Sequence, residues 1–286
     1  MKLICSKANL LKGVNIVSKA VPSRTTMAIL ECILIDASAN EIKLTANDME
    51  LGIETKIEGE IVERGIIALD AKIFSEIVRK LPDSEVIIET DSTFKTTKKK
   101  KKAKFNIVGK SGDDFSYLPF VERTEKVSIS QFTLKEVIRQ TIFSIADNDN
   151  NKLMTGELFE IDENRLKVVS LDGHRISIRN IELKDSYEHK KVIVPGKTLQ
   201  EISKILPGEA EEMVNIYITK NHILFEFDET IVLSRLIEGE YFKIEQMLSS
   251  DYETKIKINK RVLLSCIDRA TLLVKEGDKK PIIINV

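Results

Sequence analysis

The sequence is poor in the residues that build disulfides, metal centres and membrane spans. Its 286 residues include three histidines and only three cysteines, Cys5, Cys32 and Cys266. The cysteines are widely separated and form no Cys-x-x-Cys pair, which argues against a disulfide framework and against a zinc site. No apolar run approaches the roughly 18 residues of a membrane span, and the opening MKLICSKANL is too polar for a secretory signal. We therefore expect a cytoplasmic protein with no metal, cofactor or membrane partner.

Charge is balanced overall but unevenly placed. The formal net charge is -1, yet residues 95–104, KTTKKKKKAK, carry seven lysines and no acid. The rest of the chain is therefore acidic, and any binding of nucleic acid depends on local basic surfaces. The run at 98–102 is interpreted either as a solvated hairpin tip or as an added DNA contact.

The most informative feature is an internal repeat. ALDAKIFSEIVRKLPDSEVIIE (68–89) resembles VPGKTLQEISKILPGEAEEMVNIYI (194–218), and IKLTANDMEL (42–51) resembles LKVVSLDGHRI (166–176). LLKGVNIVSKAV (10–21) and TLKEVIRQTIFSI (133–145) form a third pair at nearly the same spacing. This spacing is far longer than the 20–50 residues of a solenoid repeat. We interpret it as a duplicated domain.

Each copy has the pattern helix, strands, helix, strands. Apolar spacing predicts a first helix over 7–20, and runs rich in Ile and Leu at 29–35 and 42–45 predict a hairpin. Asp70 is placed to cap a second helix over 71–81, which Pro82 ends. Two helices on antiparallel sheet make an α+β layer architecture.

Three details of these helices are predicted from the pattern. In the second copy, Thr133 and Glu136 match a capping box. The apolar faces of the second helices are expected to be formed by two sets of residues, which are Ile73, Ile77 and Leu81, and Ile202, Ile205 and Leu206.

A third copy begins near the end of the sequence. INKRVLLSCIDRATLL (258–273) has the spacing of a first helix, and PIIINV (281–286) reads as a first strand. We expect domains at 1–122 and 123–250, with 251–286 as the start of a truncated third.

The second helices share a charge pattern. Lys72, Glu76 and Arg79 recur with the same signs as Lys197, Glu201 and Lys204. Such a face is typical of solvated helices with internal ion pairs. It equally suits contact with phosphates without reading bases.

SLDGHRIS (170–177) carries a cluster that suggests chemistry. Ser170, Asp172, His174 and Ser177 include the residue types of a nucleophilic triad, but the strand-to-helix elbow of Gly-x-Ser-x-Gly is missing. Without further context His174 is interpreted as a turn or core histidine. DNDNN (147–151) resembles half of a calcium loop, but Lys152 replaces the glycine. VGKSG (108–112) lacks the earlier glycine of a phosphate loop, which leaves no nucleotide site.

Together these segments resemble one family, the bacterial sliding clamps, the beta subunit of DNA polymerase III. The resemblance covers essentially the whole chain. It depends on five segments in order: SRTTMAILECILI (23–35), LTANDMEL (44–51), DGHR (172–175), KKVIVPGK (190–197) and EGEYF (238–242).

The resemblance implies a ring and not an enzyme. Each chain would form an arc of tandem clamp modules, and two chains would close head to tail around double-stranded DNA. The polymerase III catalytic subunit, the clamp loader, other polymerases and mismatch-repair proteins would dock through a short peptide. By the same resemblance, one set of residues would contact DNA: Arg24, Lys72, Arg79, Asn148, Lys197 and Lys204.

A second set would form the pocket for partner peptides: Met154, Leu171, Gly173, His174, Arg175, Ile176, Phe242 and Met247. The turn at 171–176 would be one wall. Phe242, Ile244 and Leu171 depart from the family's usual residues and make the pocket more apolar. The alternative function is a tandem scaffold that binds peptides and does not encircle DNA.

Overall fold

The computed structural model describes residues 1–100, 103–147, 151–248, 251–272, 274 and 282–285. The chain divides into two compact units, Met1–Tyr241 and Phe242–Val286. The larger unit holds two modules, which we call module 1 and module 2 in chain order.

The described residues of module 1 form two α-helices and ten strands. In order these are β1 (Lys2–Ser6), α1 (Lys7–Val17), β2 (Cys32–Asp36), β3 (Ile42–Asn47), β4 (Leu51–Ile57), β5 (Glu60–Glu63), β6 (Ile66–Asp70), α2 (Ala71–Lys80), β7 (Glu85–Thr90), β8 (Lys95–Lys100), β9 (Ala103–Val108) and β10 (Lys110–Ser111).

Module 2 repeats the plan with fewer, longer strands. In order these are β11 (Lys126–Ser130), α3 (Gln131–Thr141), β12 (Gly156–Leu171), β13 (Ile176–Pro195), α4 (Gly196–Ile205), β14 (Met213–Ile218), β15 (His222–Phe227) and β16 (Thr230–Arg235). In both modules the two helices pack against each other, and every strand pairing is antiparallel. The predicted α+β architecture is confirmed.

One sheet runs through both modules. Its nine strands follow the order β10-β6-β2-β3-β4-β16-β15-β14-β11. The junction is the pairing of β4 with β16, from Thr55 opposite Thr230 to Leu51 opposite Ser234. At its end the hydroxyls of Thr55 and Thr230 form a buried hydrogen bond of 2.8 Å. Strand hydrogen bonds therefore hold the modules together.

Helix α2 begins where the sequence predicts. The Asp70 carboxylate accepts a hydrogen bond of 2.8 Å from the Ile73 amide, as an N-cap does. The predicted apolar face is partly wrong, however, because Ile73 is 50% exposed. The buried positions are Ala71, Phe74, Ser75 and Val78. Phe74 takes the core position because the helix face is turned by one residue. In α4, Ile202 and Leu206 are buried as expected.

The capping box predicted in module 2 is wrong. Helix α3 begins at Gln131, and its N-cap is Ser130, whose hydroxyl accepts from the Thr133 amide at 3.2 Å. Glu136 instead accepts a hydrogen bond of 2.8 Å from Arg139 one turn further along. The strand before the helix ends at Ser130, so the first available hydroxyl lies three residues earlier than the sequence pattern suggests.

In the smaller unit the described residues form the helices α5 (Ile244–Met247) and α6 (Lys260–Thr271). Asn259 caps α6 by accepting from the Arg261 amide at 2.9 Å. The helix predicted at 258–273 is thus confirmed in outline. The strand predicted at 281–286 is not: residues 282–285 form no strand, because no described strand pairs with them.

Candidate nucleic-acid and peptide interfaces

The turn between β12 and β13 is organised by Asp172. Its Oδ1 accepts hydrogen bonds from the backbone amides of His174 at 3.0 Å and Arg175 at 3.1 Å, and its Oδ2 accepts from Arg175 Nε at 2.8 Å. The amide of His174, with the guanidinium of Arg175, holds the pKa of Asp172 below its usual value. Asp172 is therefore a structural acceptor that stays ionised.

This geometry does not assemble a nucleophilic triad. Asp172 meets His174 through the backbone amide and not through the imidazole. The hydroxyl of Ser170 donates to the Thr141 carbonyl at 2.6 Å, and Ser177 bonds to Ser144 at 2.6 Å. Both serine hydroxyls are thus engaged away from the turn.

The same turn occurs in module 1. Asp48 Oδ1 accepts from the amides of Glu50 at 3.0 Å and Leu51 at 2.6 Å. The residue after each aspartate has a left-handed backbone, with φ of +76° at Met49 and +85° at Gly173. The duplication therefore extends to individual hydrogen bonds.

The predicted peptide wall is mostly accessible. Gly173, His174 and Arg175 are exposed, and Ile176 is half-buried. A side chain added at Gly173 would meet no atom within 4 Å. Leu171, in contrast, is only 2% exposed, so its side chain belongs to the core in this structure.

The remaining predicted pocket residues lie elsewhere in the chain. Met154 is half-buried in a short turn, where its carbonyl accepts from the Ala146 amide at 2.9 Å. Phe242 and Met247 belong to the smaller unit, in which Met247 is 49% exposed on α5. Their membership of a common pocket stays a prediction.

Phe143 was missed by the sequence analysis. It follows α3, is 56% exposed, and its ring lies 5.8 Å from the guanidinium carbon of Arg175. The contact is a cation–π pair at a surface site. The Phe143 ring therefore adds an aromatic surface beside the turn. Such a surface suits the docking of apolar peptide side chains.

Glu157, at the start of β12, was also missed. Its side chain is fully buried; Oε2 accepts from the Thr141 hydroxyl at 3.1 Å, and Oε1 has no hydrogen-bond partner in the part of the chain described. Burial raises the pKa of Glu157 to about 8. Because the Thr141 carbonyl also accepts from Ser170, this uncharged carboxyl group supports the base of the turn.

The predicted DNA-contacting cations fall into two groups. Arg24, Lys72 and Arg79 are exposed and form no ion pair within the described ranges. Lys204 is paired with Glu201 at 2.7 Å, and Lys197 is paired with Asp48. Asn148 lies outside the described residues, as do Lys101 and Lys102 of the lysine run. Strands β8 and β9 pair as far as Lys100 opposite Ala103, so the described lysines of the run, 98–100, lie in β8, and the predicted solvated tip stays a prediction.

Among the residues described, no group of three His, Cys, Asp or Glu side chains could hold a metal ion. The described helices include none with the length and apolar character needed to cross a membrane. Most of the calcium-like segment 147–151 falls on residues outside the described ranges.

The fold and sites define a duplicated α+β protein with exposed cations on α2 and an exposed turn organised by an aspartate in each module. A family model described as the N-terminal domain of the DNA polymerase III beta subunit matches residues 1–119, and one described as its central domain matches 128–243. The chain is 36% identical over 293 residues to the beta sliding clamp of Halalkalibacterium halodurans, covering 99% of this chain and 77% of that protein. It is 37% identical over 287 residues to that of Bacillus subtilis, covering 97% and 75%.

Solved structures of DNA polymerase III beta subunits have the same fold as this chain. A DNA polymerase III beta subunit from Eubacterium rectale has a TM-score of 0.96 at 82% identity, covering 98% of this chain and 76% of that one. The Bacillus subtilis sliding clamp has a TM-score of 0.93 at 35% identity, covering 97% and 75%. The chain belongs to the DNA polymerase III beta subunit family, the bacterial sliding clamps. It acts as a processivity factor in DNA replication.

Proposed function

We propose that the chain acts as part of a ring that encircles duplex DNA, closed by head-to-tail pairing with a second copy. The observation that carries this is the row of exposed cations on α2, where Lys72 and Arg79 have no acidic partner in the described residues. Unpaired lysine and arginine attract phosphates without reading sequence. A ring that encloses DNA needs no stronger binding to the phosphates than these cations provide.

The cation row is tested by charge removal. The binding constant falls as salt rises, and Lys72→Met should reduce the magnitude of the slope of log binding constant against log salt concentration by about 0.9, the value for one lost phosphate contact on B-DNA. Glu76→Gln, on the same face of α2, is the matched control and should not lower it. Equal slopes for Lys72→Met and the unaltered chain would exclude this lysine from the DNA contact.

We further propose that partners dock on the turn Leu171–Ile176. The partners are the polymerase III catalytic subunit, the clamp loader, other polymerases and mismatch-repair proteins that carry a short apolar peptide. The exposed Gly173–Arg175 segment and the ring of Phe143 offer open backbone, cationic and aromatic surface. A related clamp from Pseudomonas aeruginosa has been solved with griselimycin bound. A scaffold that binds peptides without encircling DNA is the alternative.

The two modules supply a matched pair of variants for this proposal. Fluorescence polarisation of a labelled Gln-Leu-Ser-Leu-Phe peptide should show saturable binding that Gly173→Arg abolishes. Met49→Arg places the same side chain in the equivalent turn of module 1, where φ is also positive, and should leave binding intact. Equal binding by both variants would contradict docking at 171–176.

The proposed location is the cytoplasm, in association with the nucleoid. It rests on the replication role of the family and on the reduced state expected for the three cysteines. Fluorescence microscopy of a tagged chain would check it.

A further inference from the structure

Lys197, one of the predicted DNA contacts, is joined to the other module. Its Nζ forms an ion pair with Asp48 Oδ2, across the junction between α4 and the turn after β3. The Lys197 side chain is 56% exposed, but the Asp48 side chain is only 7% exposed. A carboxylate this far from water is costly unless a cation and hydrogen bonds compensate it.

Both carboxylate oxygens of Asp48 accept hydrogen bonds. Oδ1 holds the turn through the amides of Glu50 and Leu51, and Oδ2 binds Lys197. In module 2 the equivalent Asp172 obtains its cation from Arg175 in its own turn. Leu51 occupies the position of Arg175 in module 1. The charge that the local turn does not supply therefore comes from module 2.

A second contact ties the same turn to module 2. The amide of Arg235, at the end of β16, donates to the Glu50 carbonyl at 2.8 Å. Glu50, Lys197 and Arg235 line one cavity of about 730 Å³. The turn is thus held from module 2 by a backbone bond and by an ion pair.

The internal repeat provides the comparison. Lys72 has the same place on α2 that Lys197 has on α4, yet Lys72 is exposed and has no ion-pair partner in the described parts of the chain. Two lysines that are equivalent in sequence therefore have different environments.

We propose that Lys197 and Asp48 form a clasp that fixes the two modules against each other, and that Lys197 is a positioning residue and not a phosphate contact. This goes beyond the proposed DNA and peptide binding, because it assigns Asp48 a role and removes Lys197 from the DNA-contacting set. The clasp holds the end of the β4–β16 junction, where consecutive modules set their relative angle.

Amide hydrogen exchange at Leu51 and Arg235 tests the clasp in the full chain. Lys197→Met and Asp48→Asn should each speed exchange at these two amides about tenfold or more, through local opening of the junction. The asparagine keeps an acceptor for the turn, so the fold survives. The double variant should exchange no faster than the faster single variant, because both changes break one interaction. Lys197→Arg keeps the positive charge, so exchange at both amides should be as slow as in the unaltered chain.

The control is Lys72→Met, which should leave exchange at both amides unchanged. The clasp is overturned if Lys197→Met behaves like Lys72→Met, or if the two single effects add in the double variant. Salt dependence of duplex binding then separates the clasp from the DNA proposal. Lys197→Met should leave the salt dependence of duplex binding unchanged, whereas Lys72→Met should make it weaker. If neither variant changes the slope while exchange is as predicted, the DNA contact fails and the clasp stands.

Discussion

At the scale of single residues, the duplicated turns show that two equivalent aspartates can bind cations from different parts of the chain. Asp48 and Asp172 hold the same backbone turn, but their second oxygens bind Lys197 and Arg175 respectively. The sequence pairs these aspartates correctly, because the surrounding letters repeat. It does not reveal the partner of Asp48, since Lys197 is 149 positions away and has the same place in its helix as Lys72, which has no ion-pair partner among the described residues.

The left-handed position in each turn predicts different effects for adding a side chain at Gly173 and for removing one at Met49. Gly173→Ala should destabilise the protein by about 1 kcal/mol, because a Cβ at positive φ is strained. Met49→Gly should be close to neutral, since relief of strain at φ +76° offsets the added chain entropy. Urea unfolding of both variants measures the difference. A Gly173→Ala variant as stable as the original would contradict a strained turn.

The buried carboxyl group of Glu157 predicts a pH dependence. Its pKa is about 8 in the folded protein, above the value in the unfolded chain. The folded state therefore binds the extra proton, so this group's contribution to stability is full below about pH 4.5 and is lost as pH rises toward 8, by at most about 1.4 kcal/mol per pH unit. Glu157→Gln should remove that loss. Urea unfolding at pH 5 and pH 8 checks this, and an unchanged pH dependence in Glu157→Gln would refute it.

At the scale of helices and strands, local sequence signals predicted where helix α2 begins better than which of its residues are buried. Asp70 caps α2 as expected, but Ile73 is exposed and Phe74 is buried. Both residues are apolar neighbours, so periodicity alone could not fix which faced the core. The junction of β4 with β16 was not predicted, because edge pairing between modules leaves no local signature in either strand.

That junction predicts a non-additive pair of substitutions. Thr55 and Thr230 share a buried hydrogen bond of 2.8 Å. Thr55→Val should cost about 1–3 kcal/mol, because it leaves the buried Thr230 hydroxyl without the hydrogen bond that it forms with Thr55, whereas Thr55→Val with Thr230→Val should recover part of that loss. Thermal unfolding of the two single variants and the double variant measures the coupling. Strict additivity would mean that the hydroxyls do not depend on each other.

At the scale of the whole molecule, duplication was the decisive sequence signal. It predicted two similar modules with two helices each, and the five ordered segments identified the family. The burial of Leu171 was not predicted: the family resemblance gives it as a wall of the peptide pocket, which stays a prediction, and its side chain is only 2% exposed. Burial depends on the path of strands that are distant in sequence, so the motif alone could not predict it.

The central claim is that this clamp holds DNA by topology and not by affinity. The most direct measurement loads the chain on circular duplex DNA with its clamp loader, then compares retention during gel filtration at high salt before and after the DNA is cut once. We predict that the protein stays on the closed circle and slides off the linear form. Equal retention on both forms, or release from both, would contradict the claim.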